Sequence, residues 1–501
     1  MVYCNQQTAL LLAFRIRDIL RVRAAMSKTY STQSHLANTC QPHYYQFMEN
    51  NRLWIYRPGQ PIPGRRYVLY WMQQAQRTQA NLALDWALQA AHSCQLPLLV
   101  AFVLTPHYPG ANARHYQFML EGLADVQDEL QARGISFVLR LGDPPEVIAH
   151  LARDAAMLVG DIGYLRLQRH WRTQIAKQID CPFSAIEADV VVPIRLVSDK
   201  EEYAARTIRP KIQRLWIPFL EERAAPSPPS RPLPKPPASD LNPTADLAEL
   251  PIDRSVSPAP SFKGGQIAAQ QHLNAFLRHG LARYHSDRND PANNLCSNMS
   301  PYLHFGQISP LAIAQNVRAA EAPAQASESY IEELIIRREL SINFVYFNTA
   351  YDKYETAVPA WARKTLRKHA SDKRPVTYSR EQLETADTHD PYWNAAQTEM
   401  VQQGKMHNYM RMYWGKKVIE WTRTPEEAYQ ILLDMNDRYE IDGRDANGYT
   451  GVAWCFGKHD RPWTERNIFG TVRYMAASGL ERKFNIQKYV DRIRGPEPSL
   501  F

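Results

Sequence analysis

GKMHNYMRMYWGKKVIEWT (Gly404–Thr422) and, a short spacer later, MNDRYEIDGRDANGYTGVAWCFGKHDRPWTERNIFGTVRYM (Met435–Met475) set a tryptophan-bearing helix beside an Asp/Asn/Gly-rich turn and a second basic, aromatic segment. His407, Arg411, Trp414, Val418 and Trp421 recur at alternating four- and three-residue steps and so share one helix face. The two indoles are two turns apart, roughly 10 Å along the axis. Two readings suit that spacing: a helix packed into a core, or a path for electrons between rings.

Upstream, the texture changes. RYVLYWM (Arg66–Met72), PLLVAFVL (Pro97–Leu104), ISFVLR (Ile135–Arg140), AMLVG (Ala156–Gly160) and FSAIEA (Phe183–Ala188) are short apolar runs of the kind buried strands show. Helical patterns at Thr78–Ala91, His115–Arg133, Pro145–Asp154 and Gln168–Ile179 separate them. Residues 64–195 therefore read as a doubly wound α/β domain with a parallel sheet. No GxGxxG follows the first strand, which argues against an ordinary dinucleotide site. Residues 196–262 read as a linker; Ala225–Ser261 alone holds eleven of the 35 prolines and is expected to be extended or disordered. Residues 263–501 carry long helical patterns and read as an all-α domain.

A chain of 501 residues is long enough for two or three domains and a large buried cofactor. The net charge of +8 permits a polyanionic partner without requiring one. Cys4, Cys40, Cys94, Cys181, Cys296 and Cys455 form no CxxC pair, which argues against structural zinc, an iron-sulfur cluster or a disulfide scaffold. No apolar run reaches the roughly 18 residues of a membrane span. Residues 1–63 are Arg-rich at their start, contain Met26 and Met48, and read as an N-terminal extension, largely disordered, rather than a targeting segment.

NDPANNLCSNMSPYLHFGQISP (Asn289–Pro310), YIEELIIRRELSINF (Tyr330–Phe344), HDPYWNAAQTEMVQQGKMHNYMRMYWGKKVIEW (His389–Trp421) and NDRYEIDGRDANGYTGVAW together resemble class II cyclobutane pyrimidine dimer photolyases of the photolyase/cryptochrome family. The likeness extends over most of residues 64–490, including YWMQQAQRTQANLAL and the HYQFMLEGL helix. It implies an α/β antenna domain followed by a helical FAD-binding domain, and light-driven repair of UV-damaged DNA. In that chemistry reduced, anionic FAD lends an electron to a flipped-out dimer, and no hydrolytic base or metal is needed. The chain offers no HExxH, GxSxG or P-loop.

The resemblance also assigns roles. Ser297, Asn298, Met299 and Ser300 match the loop that holds the flavin diphosphate, with Tyr284 and Gln307 as additional contacts. By residue chemistry alone, Ser300-Pro301 is equally a helix N-cap. Arg411 matches the arginine beside the isoalloxazine, Asn436 the amide opposite flavin N5, and Asp442 and Asp445 the carboxylates of the flavin loop, which are also good turn formers. The electron path runs from Trp414 through Trp393 to Trp421 at the surface. Glu333 and Trp454 match the groups on the dimer, Met412 the pocket wall, and Arg288 the side chain that fills the gap left by the extruded lesion. Class I relatives read ELIWRE where this chain reads ELIIRRE from Glu333, so that tryptophan's packing role is unfilled here. Arg461, Lys405, Lys416, Lys417 and Arg466 are either DNA-phosphate contacts or solvated surface charges. Lys458, His459, Asp460 and Arg461 are candidates for a proton shuttle near Trp421.

Two other functions stand beside dimer repair. A cryptochrome-like blue-light receptor uses the same flavin and tryptophans, and a (6-4) photolyase needs a histidine proton donor, for which His304 and His459 are available. The family further implies an antenna chromophore, a deazaflavin or a folate, and a monomer without an obligate protein partner. The expected compartment is the cytoplasm in a prokaryote and the nucleus or an organelle in a eukaryote.

Overall fold

The computed structural model describes residues 51–221, 226–227, 231–244, 247–293 and 295–495, so most of the expected N-terminal extension, with Met26 and Met48, lies outside the described residues. The strands are β1 Leu53–Arg57, β2 Tyr67–Trp71, β3 Leu98–Leu104, β4 Ser136–Leu141, β5 Ala155–Asp161 and β6 Phe183–Ile186, in the sheet order β1-β6-β5-β2-β3-β4. All pairings are parallel except β1 with β6. Strands β2 and β3 are buried at every residue, as central strands with helices on both faces must be.

Alternation divides them between two cores. Val68 and Tyr70 face one layer with Leu84, Leu88, Leu120 and Val126, whereas Leu69 and Trp71 face the other with Ile148, Leu151, Trp171 and Ile175. The helices that supply these layers are α1 Leu82–Cys94, α2 Ala113–Ala132, α3 Pro144–Ala152 and α4 Arg166–Gln178. Each fully buried aliphatic side chain in these layers contributes about 1.5–3 kcal/mol.

Two boundaries differ from the sequence reading. Strand β1 lies within the expected extension: its Leu53, Trp54 and Ile55 pair with β6, so the sheet begins before residue 64. The expected linker is also structured. It contains α5, Ala205–Phe219, with Ile208, Ile212 and Phe219 buried, and its proline-rich part runs along the open edge of β4. There Asp240 donates its N–H to the Leu139 carbonyl at 2.9 Å, and the Ser239 hydroxyl and Asp240 carboxylate accept from Leu139 and Leu141. An extended, donor-poor segment covers an edge strand without inviting a further one.

The helical half comprises α6 Gln266–His279, α7 Pro310–Ala319, α8 Ala324–Ile331, a π-turn at Glu332–Arg337, α9 Arg338–Phe347, α10 Ala360–Lys368, α11 Pro391–Gln403, α12 Asn408–Trp421, α13 Pro425–Tyr439, α14 Ala446–Cys455 and α15 Ile486–Arg494, with shorter turns between. From Tyr413 to Ile419 helix α12 is buried on all sides, and a Cβ at Gly415 would collide with the Cys455 sulfur of α14. The two halves are stapled together. Arg114 of α2 donates to the Met400, Val401 and Tyr439 carbonyls at the C-terminal ends of α11 and α13.

Candidate functional site

Helices α11 to α14 converge on Arg411, whose Nη2 lies 2.7 Å from Glu440 and 2.9 Å from Asp442. Burial opposes the Arg411 charge, and the two carboxylates outweigh it, raising its pKa above the ordinary range. The partners separate: burial pushes Glu440 up to about 8, while Arg411 and a hydrogen bond from Ser300 overcome burial at Asp442 and hold its carboxyl below the usual range. Arg411 keeps 25% side-chain exposure, so it is open on one side rather than sealed in a packed core.

The Ser297–Ser300 loop joins this cluster. Asn298 takes a left-handed φ of 56°, and its amide oxygen accepts from Lys405 Nζ. Ser297 hydrogen-bonds Tyr330, and Ser300 hydrogen-bonds Asp442. Met299 is buried beneath the loop. Two hydroxyls, an amide, Lys405 and Arg411 thus gather from one loop, the turn after α11 and the start of α12, a donor set that fits a diphosphate and an anionic ring. Sequence reading placed Lys405 among surface charges; the turn after α11 carries it inward, and no local pattern reports that. Burial likewise pushes the nearby His407 down to about 3, so its ring is neutral.

The neighbouring wall holds Tyr284 and Arg288. Arg288 lies over the Tyr284 ring at 5.5 Å and pairs with Glu333 at 2.7 Å. The π-turn widens the backbone at Glu332 and Glu333, sending Glu332 to Arg209 and Glu333 to Arg288. Met412 and Trp454 are half-buried. Asn436 packs over Gly448 of α14, where a Cβ would lie 2.8 Å from its Nδ2, and donates to Asp437 at 3.1 Å.

Two expected flavin contacts point elsewhere. Gln307 accepts from the Gly265 N–H and donates to the Phe118 carbonyl, joining α2 to the start of α6. Asp445 caps α14 and faces His304 at 3.9 Å; both line a second cavity between the sheet and α14. Trp71, Gln74, Tyr108, Tyr164, Trp171 and Arg444 are also on its wall. It opens beyond the ends of β2 and β5, where the strand order reverses, the usual place for a ligand in such sheets.

The tryptophans form a compact group. Trp414 Nε1 donates to Gln397 at 2.8 Å, Trp393 Nε1 donates to the Trp414 carbonyl at 3.0 Å, and the Trp393 and Trp421 rings meet edge-on at 5.5 Å. Trp421 is not at the surface: it is 2% exposed, because the segment before α11 folds over it and lays Tyr378 and His389 at 5.3 and 5.4 Å. The Tyr378 hydroxyl is 2.5 Å from His389 Nδ1.

Lys416 and Lys417 also prove interior, because α12 is buried all round at these positions. Lys416 donates to the Cys455 carbonyl and burial lowers it to about 8, and Lys417 pairs with Glu420 at 2.7 Å. The expected shuttle group lies away from Trp421: Lys458 pairs with Glu201, and His459 contacts Tyr203 and Phe344, with burial pushing it down to about 4. Arg461 and Arg473 flank Trp463, which is 41% exposed and which sequence reading passed over. Arg466 lies over Tyr474 at 5.3 Å. Among the described residues no helix is long and apolar enough to cross a membrane.

Comparison with known proteins gives the chain's family. The sequence pattern of the family described as DNA photolyase matches residues 68–232. The deoxyribodipyrimidine photo-lyase of Methanothermobacter thermautotrophicus is 50% identical over 433 residues, 86% of this chain and 95% of that protein. That of Potorous tridactylus is 41% identical over 85% of this chain and 81% of its own. Among solved structures, a class III photolyase from Agrobacterium tumefaciens superposes with a TM-score of 0.67 at 17% identity, covering 86% and 87% of the two chains, a likeness of fold.

Proposed function

This chain belongs to the DNA photolyase family, enzymes of light-driven DNA repair, and we propose that it splits cyclobutane pyrimidine dimers by means of a reduced FAD held at the Arg411 cluster. The observation that carries the reading is the gathering of Ser297, Asn298 and Ser300 with Lys405 and Arg411, linked through the Asn298–Lys405 and Ser300–Asp442–Arg411 contacts, together with the Arg288–Glu333 pair. When bound, FAD supplies a light-excited electron that opens the cyclobutane ring and accepts it again once two pyrimidines are restored.

The chain's residues do the rest. The two serine hydroxyls, the Asn298 amide and Lys405 hold the diphosphate, and Arg411 stabilises negative charge on the ring. Glu440 and Asp442 orient Arg411; with Glu440 protonated, one carboxylate balances one guanidinium and leaves room for an anionic partner. Asn436, fixed by Gly448, presents its amide to the ring edge, where it donates or accepts as the redox state demands. Trp454 and Met412 offer apolar walls to the flipped lesion and Glu333 a hydrogen bond, while Arg288, released from Glu333, fills the gap in the duplex. Arg461, with Trp463 beside it, meets the DNA backbone. Trp414, Trp393 and Trp421 recharge oxidised flavin. The cavity walled by Trp71, Tyr108, Tyr164 and Trp171 is the place for an antenna chromophore, its aromatic walls suiting a flat ring system, a deazaflavin or a folate.

Neither histidine needed for (6-4) chemistry stands at the Glu333 wall: His304 faces Asp445 and His459 is held by Tyr203. The discriminating experiment offers the reduced protein two oligonucleotides under blue light, one with a cyclobutane dimer and one with a (6-4) lesion. Restoration of the first alone is expected; restoration of the second alone, or of neither, overturns the assignment.

A further inference from the structure

Asp390 is the N-cap of α11 and is 5% exposed. Its Oδ1 accepts the backbone N–H groups of Tyr392 and Trp393, each at 3.0 Å, and its Oδ2 accepts the Tyr413 hydroxyl. Every partner of these two oxygens donates, so the group sits as an acceptor-only carboxylate. Among the described residues it enters no ion pair. Lys417, 5.6 Å from both the Tyr413 and Trp421 rings, is committed to Glu420 at 2.7 Å. Capping does not require this charge, since neutral Asn or Ser caps a helix as well, and a buried charge without a counter-ion is costly.

The Trp393 ring supplies a second observation. Its Nε1–H donates to the backbone carbonyl of Trp414, a group too weakly basic to take a proton. An oxidised Trp393 therefore keeps its N–H proton and carries a full positive charge inside the protein. Trp414 places its own N–H on the neutral Gln397 amide.

We propose that Asp390 is the electrostatic partner of oxidised Trp393, a positioning charge that draws the electron vacancy away from Trp414 and slows its return. This rests on the tryptophan relay of the proposed function. With FAD bound, oxidised and light-excited, Trp414 would give up one electron, Trp393 would give one to Trp414, and Trp421 would give one to Trp393. An external thiol restores Trp421. The thiol gives up one electron and its S–H proton, and two thiyl radicals pair as a disulfide; within the protein no bond forms or breaks, and the indole proton of Trp393 stays in place throughout.

Three variants and a control test it: Asp390→Asn and Asp390→Ser, both neutral and both competent caps; Asp390→Glu, which keeps the charge; and Trp393→Phe. The FAD-loaded proteins are flashed in the oxidised state and followed by transient absorption of the indole radical cation, with melting temperature and FAD content measured in parallel. The neutral variants are expected to lose about tenfold or more in the yield of long-lived charge separation, with melting temperature and FAD content near the parent's and with Asp390→Glu recovering most of the yield. Parent-like charge separation in both neutral variants, while Trp393→Phe blocks it, overturns the role of Asp390. Loss of folding or of FAD in both neutral variants also overturns it, because the group is then structural. Parent-like photoreduction in Trp393→Phe overturns the relay itself.

Discussion

Replacing Glu333 with alanine separates its structural worth from its worth to the substrate. In the free protein Glu333 pairs with Arg288 at 2.7 Å, with side-chain exposures of 27% for the arginine and 33% for the glutamate. Solvent screens a pair so placed, and its loss costs under about 1 kcal/mol of stability. At the lesion the same carboxyl group is enclosed between protein and base. A buried hydrogen bond lost there costs about 1–3 kcal/mol, or roughly 5- to 150-fold in affinity. Equilibrium titration of dimer-containing and undamaged duplexes at one fixed salt concentration reads the effect as a ratio, which cancels the phosphate contribution common to both. That ratio should fall in Glu333→Ala, with an unchanged melting temperature, and fall less in Glu333→Gln, whose amide still donates and accepts. In a double-mutant cycle with Arg288→Ala, the coupling should stay under about 1 kcal/mol for stability. An unchanged discrimination ratio, or a melting loss of several kcal/mol with no change in binding, refutes the placement of Glu333 at the lesion.

Trp393→Phe should abolish photoreduction of oxidised flavin while chemically reduced protein repairs normally; loss of both makes Trp393 structural. Gly448→Ala introduces a Cβ that would lie 2.8 Å from Asn436 Nδ2; an overpacked contact of that kind costs about 1–3 kcal/mol and should displace the amide, seen as a shifted flavin spectrum and lower repair yield. Glu339 is 5% exposed, and burial pushes its carboxyl from 4.5 up to about 7. The folded state therefore holds a proton that the unfolded state has released, so stability falls as pH climbs from 4.5 toward 7 and is flat above. The loss is on the order of 3 kcal/mol, and Glu339→Gln should flatten that slope in denaturant titrations run across the window.

The parallel strands were legible because buried strands need continuous apolar runs, and β2 to β6 each lie within about two residues of a run read from sequence. LWIYR was not, since an edge strand paired antiparallel with a segment more than a hundred residues away carries a weak, half-exposed pattern. At the site, helical spacing put Arg411, Trp414 and Trp421 on one face, but Trp393 came only from the family resemblance. Lys405, Glu440 and Tyr378 gained their places from tertiary contacts that no local spacing encodes, as did the Asp390–Tyr413 contact. The lysines of α12 misled for the opposite reason: charge usually marks a solvated face, and here Lys417 is ion-paired with Glu420 and Lys416 hydrogen-bonded to a backbone carbonyl in the interior. Trp421 was misplaced because the strap that buries it, around Tyr378, is remote from it in sequence.

The most direct test of the account is single-turnover repair followed by light dependence. Protein loaded with FAD and chemically reduced is mixed with an oligonucleotide containing one thymine cyclobutane dimer, then divided between blue light and darkness, and the ultraviolet absorbance of the bases is followed. Absorbance recovering to that of intact thymines in the light, with none in the dark and with the flavin still reduced at the end, is the predicted result. Recovery in darkness, or net oxidation of one flavin for each dimer split, contradicts it.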